Sequence, residues 1–341
     1  MEKEIDDVLK FLHRQDDIIK VDINSDLEYD YGSFSLSGLK IDSKRYIYPA
    51  AMGFDLGCGV GVFRLHGWNS GKAVEIQYSR KSIFGIRRKK TTVEVCRGKN
   101  HLVQLQKAMN QVYYGEIEPG NHFLEIQKNK KGEHFLVVHS GLSKRLKEQF
   151  EIFFIDFYRE YVEEDPYGNN GYIVKIPYDS KDGKTFFEVC TKANEWAETN
   201  RAYIATEVGK KLGCLAECYV DTSHEFLMRQ QDVIIHSNGV QKLTGNDGDK
   251  VGILISARGC NNYLIRGKQN NVYINHGTKL KQRTSDGKRI YGNVEELMKN
   301  LDFSEKIEVI DILIPVLNCK RIEREYEYTV FRKEGTATDQ L

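Results

Sequence analysis

Proline is scarce in this chain, five in 341 residues, and tryptophan is scarcer, with two. No Ser/Gly-rich linker, internal repeat or break in composition accompanies them, so a single domain over residues 1–341 is expected. No apolar run approaches the roughly 18 residues that a membrane-spanning helix needs, and no signal peptide opens the sequence. A soluble, cytoplasmic protein with no membrane partner is therefore predicted. An excess of one charge is also missing. Fifty Lys and Arg face 49 Asp and Glu, a net charge of +1, so no overall field advertises nucleic acid, membrane or an acidic substrate. Basic runs occur only locally, at 79–90, 143–147 and 278–284. Seven cysteines, at 58, 96, 190, 214, 218, 260 and 319, are odd in number and follow no framework spacing. That excludes a disulfide scaffold and leaves ligand or nucleophile as the reading for a cysteine in a polar, glycine-rich loop.

What is present is a mixture of periodicities. Apolar residues at Ile5, Val8, Leu9 and Leu12 predict a short amphipathic helix, and Leu102, Leu105, Met109 and Val112 predict a second that stops at Gly115. "FLVVH" (135–139) has the continuous apolar character of a buried strand. A long helix is predicted over about 144–163, with Leu146, Phe150, Phe153, Phe154 and Phe157 facing the core. Another is predicted over about 188–212, ending at Gly213. Short strands follow in "LAECYV", "DVIIHS", "VGILIS", "NVYIN" and "IDILIPV". A capping box, Asn293 with Glu296, marks a helix between the last two. The class is α+β, with long helices in the middle of the chain and mixed sheets on both sides.

Chemistry concentrates in "AAMGFDLGCGVGVFRL" (50–65). Its glycines lack the Lys-Ser/Thr of a Walker loop, and Gly57, Gly59 and Gly61 run GxGxG rather than GxGxxG. Asp55 and Cys58 remain as two potential anionic ligands in a segment that glycine lets bend. Five of the nine histidines keep distinctive company: His122 in "GNHFLE", His139 before Ser140-Gly141, His224 in "SHEF", His236 before "SNG" and His276 before Gly277. Four of them stand at or just past a strand end, where side chains of different strands can converge. Thiolate, imidazole and carboxylate together suit Zn(II), Mn(II), Fe(II) or Co(II) better than Mg(II) or Ca(II). Ligands scattered over so much chain suggest a catalytic rather than a small structural metal site. The residues alone leave the reaction open.

Taken in order, "GFDLGCG", "GNHFLEIQ", "VVHSG", "HEF", "HSNG", "INHG" and "LIPVLNCKR" resemble the motif blocks of the RtcB family of GTP-dependent RNA ligases, over about residues 50–320. The resemblance implies that family's α+β fold, with long helices around a central metal cleft. It implies two Mn(II) ions, with Zn(II) or Co(II) as alternatives: one on Asp55, Cys58 and His122, the other on Cys58, His139 and His224. His276 is then the nucleophile that takes GMP from GTP. Asn121 would hold phosphate, Glu125 and Lys320 would contact guanine, Tyr291 would stack on it, and Gly277 would lie beside the nucleotide. The implied substrate is RNA with a 3′-phosphate, or a 2′,3′-cyclic phosphate, and a 5′-hydroxyl, with room for an accessory factor.

Several basic positions depart from the family pattern. Leu280 stands where an arginine is expected, with Arg283 nearby. Ser237 and Asn238 replace two cations, and Gly61 a third. Lys144 and Arg145 offer partial replacements as RNA contacts. Two other readings therefore stay open: a non-ligating protein that binds metal and RNA ends, and a metal-dependent phosphodiesterase that opens cyclic phosphates. The stretch 322–341 lies beyond the resemblance and receives no functional reading.

Overall fold

The computed structural model describes residues 2–30, 35–53, 55–68, 74–79, 89–90, 113–117, 122–150, 174–243, 250–256, 260–269, 272–277, 280–283, 289–291, 294, 305–316, 319–320 and 326–331. Helix and sheet are mixed and strands predominate, as the α+β expectation requires.

The central element is an antiparallel seven-stranded sheet. Its strands run in the order Leu215–Ser223, Gly59–His66, His134–Ser140, Phe123–Lys128, Ile307–Pro315, Asn262–Gly267 and Val251–Leu254. The first and last strands return toward each other, so the sheet nearly closes into a barrel. Both of its faces are covered, which explains the unbroken apolar run at 135–139. Successive strand residues point to opposite faces. Phe135 and Val137 join Val60, Val62 and Phe123 in one core, while Leu136 and Val138 pack with Phe63 and Leu124 in another.

That second core is closed by a long helix, Lys181–Leu212, through Ile204, Ala205 and Val208. Its N-cap is Ser180, whose Oγ accepts from the Gly183 N–H at 2.9 Å, with Asp182 in the first turn. Lys210 and Lys211 occupy the last turn, and Gly213 ends the helix in the left-handed conformation at φ 69°. The helix thus starts seven residues before the expected 188. The cause lies in the run "DSKDGK", which looks like a turn because of Gly183. Glycine is needed there because a Cβ would overlap the carbonyl of Pro177.

A second, four-stranded antiparallel sheet has the order Ile18–Asp30, Ser35–Ser43, Val233–Asn238 and Glu225–Gln230. The amphipathic helix Glu2–His13 packs beside it, with Leu12 buried against Leu39, Ile41 and Tyr48. His236 locks this sheet to the segment leading into the glycine loop. Its Nε2 accepts from the Tyr48 N–H at 3.0 Å and its Nδ1 lies 3.2 Å from the Ile41 carbonyl. Nδ1 must therefore carry the proton. Burial, with the nearby Lys40 charge, lowers the His236 pKa from its ordinary value to about 4. The unfolded imidazole binds a proton near pH 6.5, whereas the folded one resists until about 4. Its contribution is therefore complete above pH 6.5 and declines as pH falls through that window, by about 3 kcal/mol in all. Denaturant titrations of wild type and His236→Gln at pH 7 and pH 4.5 should show a larger acid loss for wild type.

Three expectations need correction or fall partly outside the described residues. Tyr113 and Tyr114 are a strand paired with Lys89–Lys90, not the end of a helix; aromatic pairs favour a pleated surface. The remainder of that predicted helix, 101–112, lies outside the described residues. The helix predicted over 144–163 is described as far as residue 150 and is helical from 144, while of the capping-box helix only Val294 is described. Beyond the resemblance, Tyr326–Phe331 forms a strand between Cys319–Lys320 and Val74–Ser79, in an antiparallel three-stranded sheet.

Candidate metal centre

The glycine loop turns where its glycines require it. Gly57 has φ 79°, and its N–H donates to the Glu225 carbonyl at 2.7 Å. The Cys58 N–H closes a tight turn on the Asp55 carbonyl at 2.7 Å, which places Asp55 and Cys58 on the same side. The turn can lie against the long helix only without a Cβ on Gly57, since one would crowd the Asn194 backbone and the Ala197 side chain. Gly141 is needed for a similar reason, because a Cβ there would overlap the Asp55 carboxylate. Asp55 Oδ1 instead accepts the Leu142 N–H at 2.8 Å.

Around this loop the sheet delivers the histidines. Cys58 immediately precedes the Gly59–His66 strand, whose neighbour His134–Ser140 carries His139, with Val60 opposite His139 in register. His122 immediately precedes the adjoining Phe123–Lys128 strand. His224 sits between Leu215–Ser223 and Glu225–Gln230, held by its N–H to the Cys58 carbonyl at 2.8 Å. Cys58 Sγ lies 3.3 Å from His122 Nε2 and 3.5 Å from His139 Nε2, and Asp55 Oδ2 lies 3.2 Å from His122 Nε2. The rings of His139 and His224 are 5.3 Å apart, and those of His224 and His276 stack at 4.2 Å with 24° between planes. Five predicted metal residues and the predicted nucleophile thus converge.

Among the described residues, ligand-capable atoms form two groups whose members lie within 4.8 Å of one another: Cys58, His122 and His139, and Cys58, His224 and Glu225. Cys58 belongs to both. Burial, reinforced by Asp55 and Glu225, holds its thiol well above the ordinary range. Burial, with His276 and His139 alongside, pushes His224 well below its own, so the imidazole is neutral. Burial opposes ionisation of Asp55, yet His122, Lys147 and the Leu142 N–H hold its pKa below the usual carboxylate value. Neutral imidazole, carboxylate and a thiol that gives up its proton to a cation form a donor set that fits a transition-metal ion.

Four contributors were not read from the sequence. Glu225 hides beside His224 in "HEF"; its Oε2 accepts the Asp55 N–H at 3.1 Å. Lys147 reaches 3.9 Å from Asp55 Oδ2. Arg201, fully buried on the long helix, donates to the carbonyls of Gly57 at 2.6 Å and Ser140 at 2.8 Å and pairs with Asp221. Gly239, at φ 82°, joins two site histidines: its N–H donates to the His224 carbonyl at 2.8 Å, and its carbonyl accepts both the N–H of His276 at 3.2 Å and Nδ1 at 2.9 Å. His236, the fifth distinctive histidine, serves the fold instead.

The remaining predicted residues spread outward. Glu125 is buried, and its Oε2 accepts from Gln127 Nε2 at 2.9 Å; Gln127 Oε1 accepts from Asn262, whose Oδ1 accepts from the Ser256 N–H. Gly277 has φ 133°, and its N–H donates to Asn275 Oδ1 at 2.9 Å; a Cβ would overlap the Ile255 carbonyl. Lys144 and Arg145 are exposed at the start of the helical segment after Ser143, and Lys144 lies 3.5 Å from Glu148. Arg283 and Tyr291 stand on the two strands of one hairpin, and Lys320 on Cys319–Lys320. Asn121 lies outside the described residues. Ser237, where the family carries a cation, is buried and donates to the Val240 carbonyl at 2.6 Å, and Asn238 is buried beside it. Among the described residues no helix is long and apolar enough to cross a membrane.

Residues 89–300 match the family described as tRNA-splicing ligase RtcB. RNA-splicing ligase RtcB1 of Escherichia coli strain ATCC 25922 is 22% identical over 334 residues, covering 82% of this chain and 79% of that protein. RNA-splicing ligase RtcB of Escherichia coli K12 is 22% identical over 337 residues, with the same coverage. With most of the chain matched in sequence and the motif residues gathered around one buried thiol, this chain belongs to the RtcB family as a divergent member.

Proposed function

We propose that this protein is an RNA ligase that joins an RNA 3′-phosphate, or a 2′,3′-cyclic phosphate first opened to one, to a 5′-hydroxyl, using GTP and a GMP carried on His276. The observation that carries this reading is the state of His276. A carbonyl can only accept, so the bond from Nδ1 to Gly239 puts the ring proton on Nδ1 and makes Nε2 the unprotonated, nucleophilic nitrogen of the ring. A histidine held in that tautomer beside a candidate metal centre suits covalent catalysis. Neither an RNA-end binder nor a cyclic phosphodiesterase needs it.

In the first step Nε2 attacks the α-phosphorus of GTP; the N–P bond forms as the bond to pyrophosphate breaks. The RNA 3′-phosphate then displaces the imidazole and takes the GMP, which returns His276 to its neutral state. Finally the 5′-hydroxyl attacks the RNA phosphorus, loses its proton, and GMP leaves. Two Mn(II) ions, or Zn(II) or Co(II), would supply positive charge at the phosphate oxygens. Asp55, Cys58 and His122 would hold one and Cys58, His139 and His224 the other, with Glu225 close to the second. Asn121 would bind phosphate, and Gly277 would let backbone approach it. Glu125, held by the Gln127 amide, and Lys320 would contact guanine, with Tyr291 stacked on it. Lys144, Arg145 and Arg283 would meet RNA, in the cytoplasm and with or without an accessory factor.

Incubation with α-phosphate-labelled GTP and Mn(II) should place an acid-labile label on wild type and none on His276→Ala, with metal content equal in both. An unlabelled wild type that still holds metal would overturn the ligase reading.

A further inference from the structure

The family resemblance assigns no role to Glu225, yet several bonds hold it at the centre. The N–H groups of His224 and Glu225 both donate to the Cys58 carbonyl, at 2.8 and 3.3 Å, and the Glu225 carbonyl accepts the Gly57 N–H at 2.7 Å. Successive residues of a strand point to opposite faces. Here the chain bends at His224, before the strand Glu225–Gln230 begins, and two neighbours in sequence come to face the same sulfur. A ring nitrogen of His224, a carboxylate oxygen of Glu225 and Cys58 Sγ all lie within 4.8 Å of one another.

The carboxylate is also pinned where it stands. Oε2 accepts the Asp55 N–H at 3.1 Å. A Cβ added at Gly53 would overlap Oε2, so the loop makes room for this group by carrying glycine there. One backbone donor uses only part of what a carboxylate can accept, about four lone-pair directions over its two oxygens. Charge favours the same arrangement. A divalent ion on the Cys58 thiolate and an imidazole alone would keep net positive charge beside two buried side chains, and the sulfur also serves the other group of donors. A second anion offsets that charge, which burial makes costly.

We infer that Glu225 is itself a ligand of the metal ion held by Cys58 and His224, which gives that ion thiolate, imidazole and carboxylate donors. The ion is a divalent one of the Mn(II), Fe(II), Co(II) or Zn(II) kind, for which such a mixture is suited. The assignment rests on the two-ion part of the ligase reading and not on the chemistry at His276. A merely structural Glu225 would do no more than hold the Asp55 N–H, and an amide in its place would do that equally well.

The test therefore uses Glu225→Gln, which keeps the size of the side chain and an oxygen for the Asp55 N–H but removes the charge. Metal-free protein is titrated with Mn(II), and thermal stability in chelator serves as the control for an intact fold. Glu225→Gln should melt as wild type does in chelator and bind one ion normally. The other should bind at least ~100-fold more weakly, beyond the ~10–100-fold that changes outside the coordination shell cost. Combined with His224→Ala it should cost no further ion, whereas combined with His122→Ala it should leave none. Gly53→Ala, which displaces the carboxylate without removing it, should weaken the same ion. A loss below ~100-fold would place Glu225 outside the coordination shell and overturn the proposal, as would loss of the ion that His122→Ala removes. A wild type that takes no GTP label yet needs Glu225 for one ion would sink the ligase reading and leave the ligand standing. A labelled wild type whose Glu225→Gln form holds both ions normally would do the reverse.

Discussion

On the two-ion reading proposed above, Cys58→Ala is expected to lose both metal ions together, while His122→Ala or His224→Ala loses one. The reason is connectivity. One group of ligand atoms is Cys58 with His122 and His139, the other is Cys58 with His224 and Glu225, and only the thiol is shared. Metal content after exhaustive dialysis in Mn(II) at fixed pH should fall from about two per chain to near zero for Cys58→Ala and to about one for each histidine variant. Equal content in all three variants would mean that the sulfur does not bridge. Thermal stability in excess metal gives an independent reading, because an ion that binds only the folded chain stabilises it. That increment should vanish in Cys58→Ala.

Arg201→Met is expected to destabilise the fold by about 3–5 kcal/mol, the range for removing one partner of a buried charge pair. The Arg201 side chain is fully buried; besides pairing with Asp221 it satisfies the carbonyls of Gly57 and Ser140. Those carbonyls belong to the residue before Cys58 and the residue after His139. Losing the guanidinium therefore takes a donor from two buried carbonyls and the paired cation from Asp221. Arg201→Lys keeps the charge but cannot reproduce the fork of donors, so it should fall between the two. Denaturant midpoints in the absence of metal would measure this. A variant as stable as wild type would show that the ties are dispensable.

The centre was legible in the sequence to the extent that its residues sit in short motifs with glycine. Asp55, Cys58, His122, His139, His224 and His276 each stand beside a turn or a strand end. Such positions narrow what a side chain is for, and the resemblance supplied roles that spacing alone left open. Arg201 was not legible, because one arginine in "NEWAETNRAYIA" looks like any solvated helix face; only tertiary packing turns it inward. Glu225 was masked by its neighbour, since adjacent residues in an extended segment normally point apart. The role of Gly239 lies wholly in its backbone, which no side-chain pattern reveals. Among the elements, the buried strand at 135–139 and the left-handed stop at Gly213 were read correctly from local chemistry. The strand Tyr326–Phe331 was missed, although "YEYTVF" alternates as an amphipathic strand should.

The sheet order also dictates when the centre can come into being during synthesis. The strand that follows Cys58 lies between His134–Ser140 and Leu215–Ser223, and His224 comes after both. A ribosome has therefore made most of the polypeptide before the thiol gains its second wall and the opposing imidazole. His276 emerges later still. Pairings across such long separations are slow to form. A stalled or truncated translation product consequently carries Cys58 without the partners that gather around it in the folded chain.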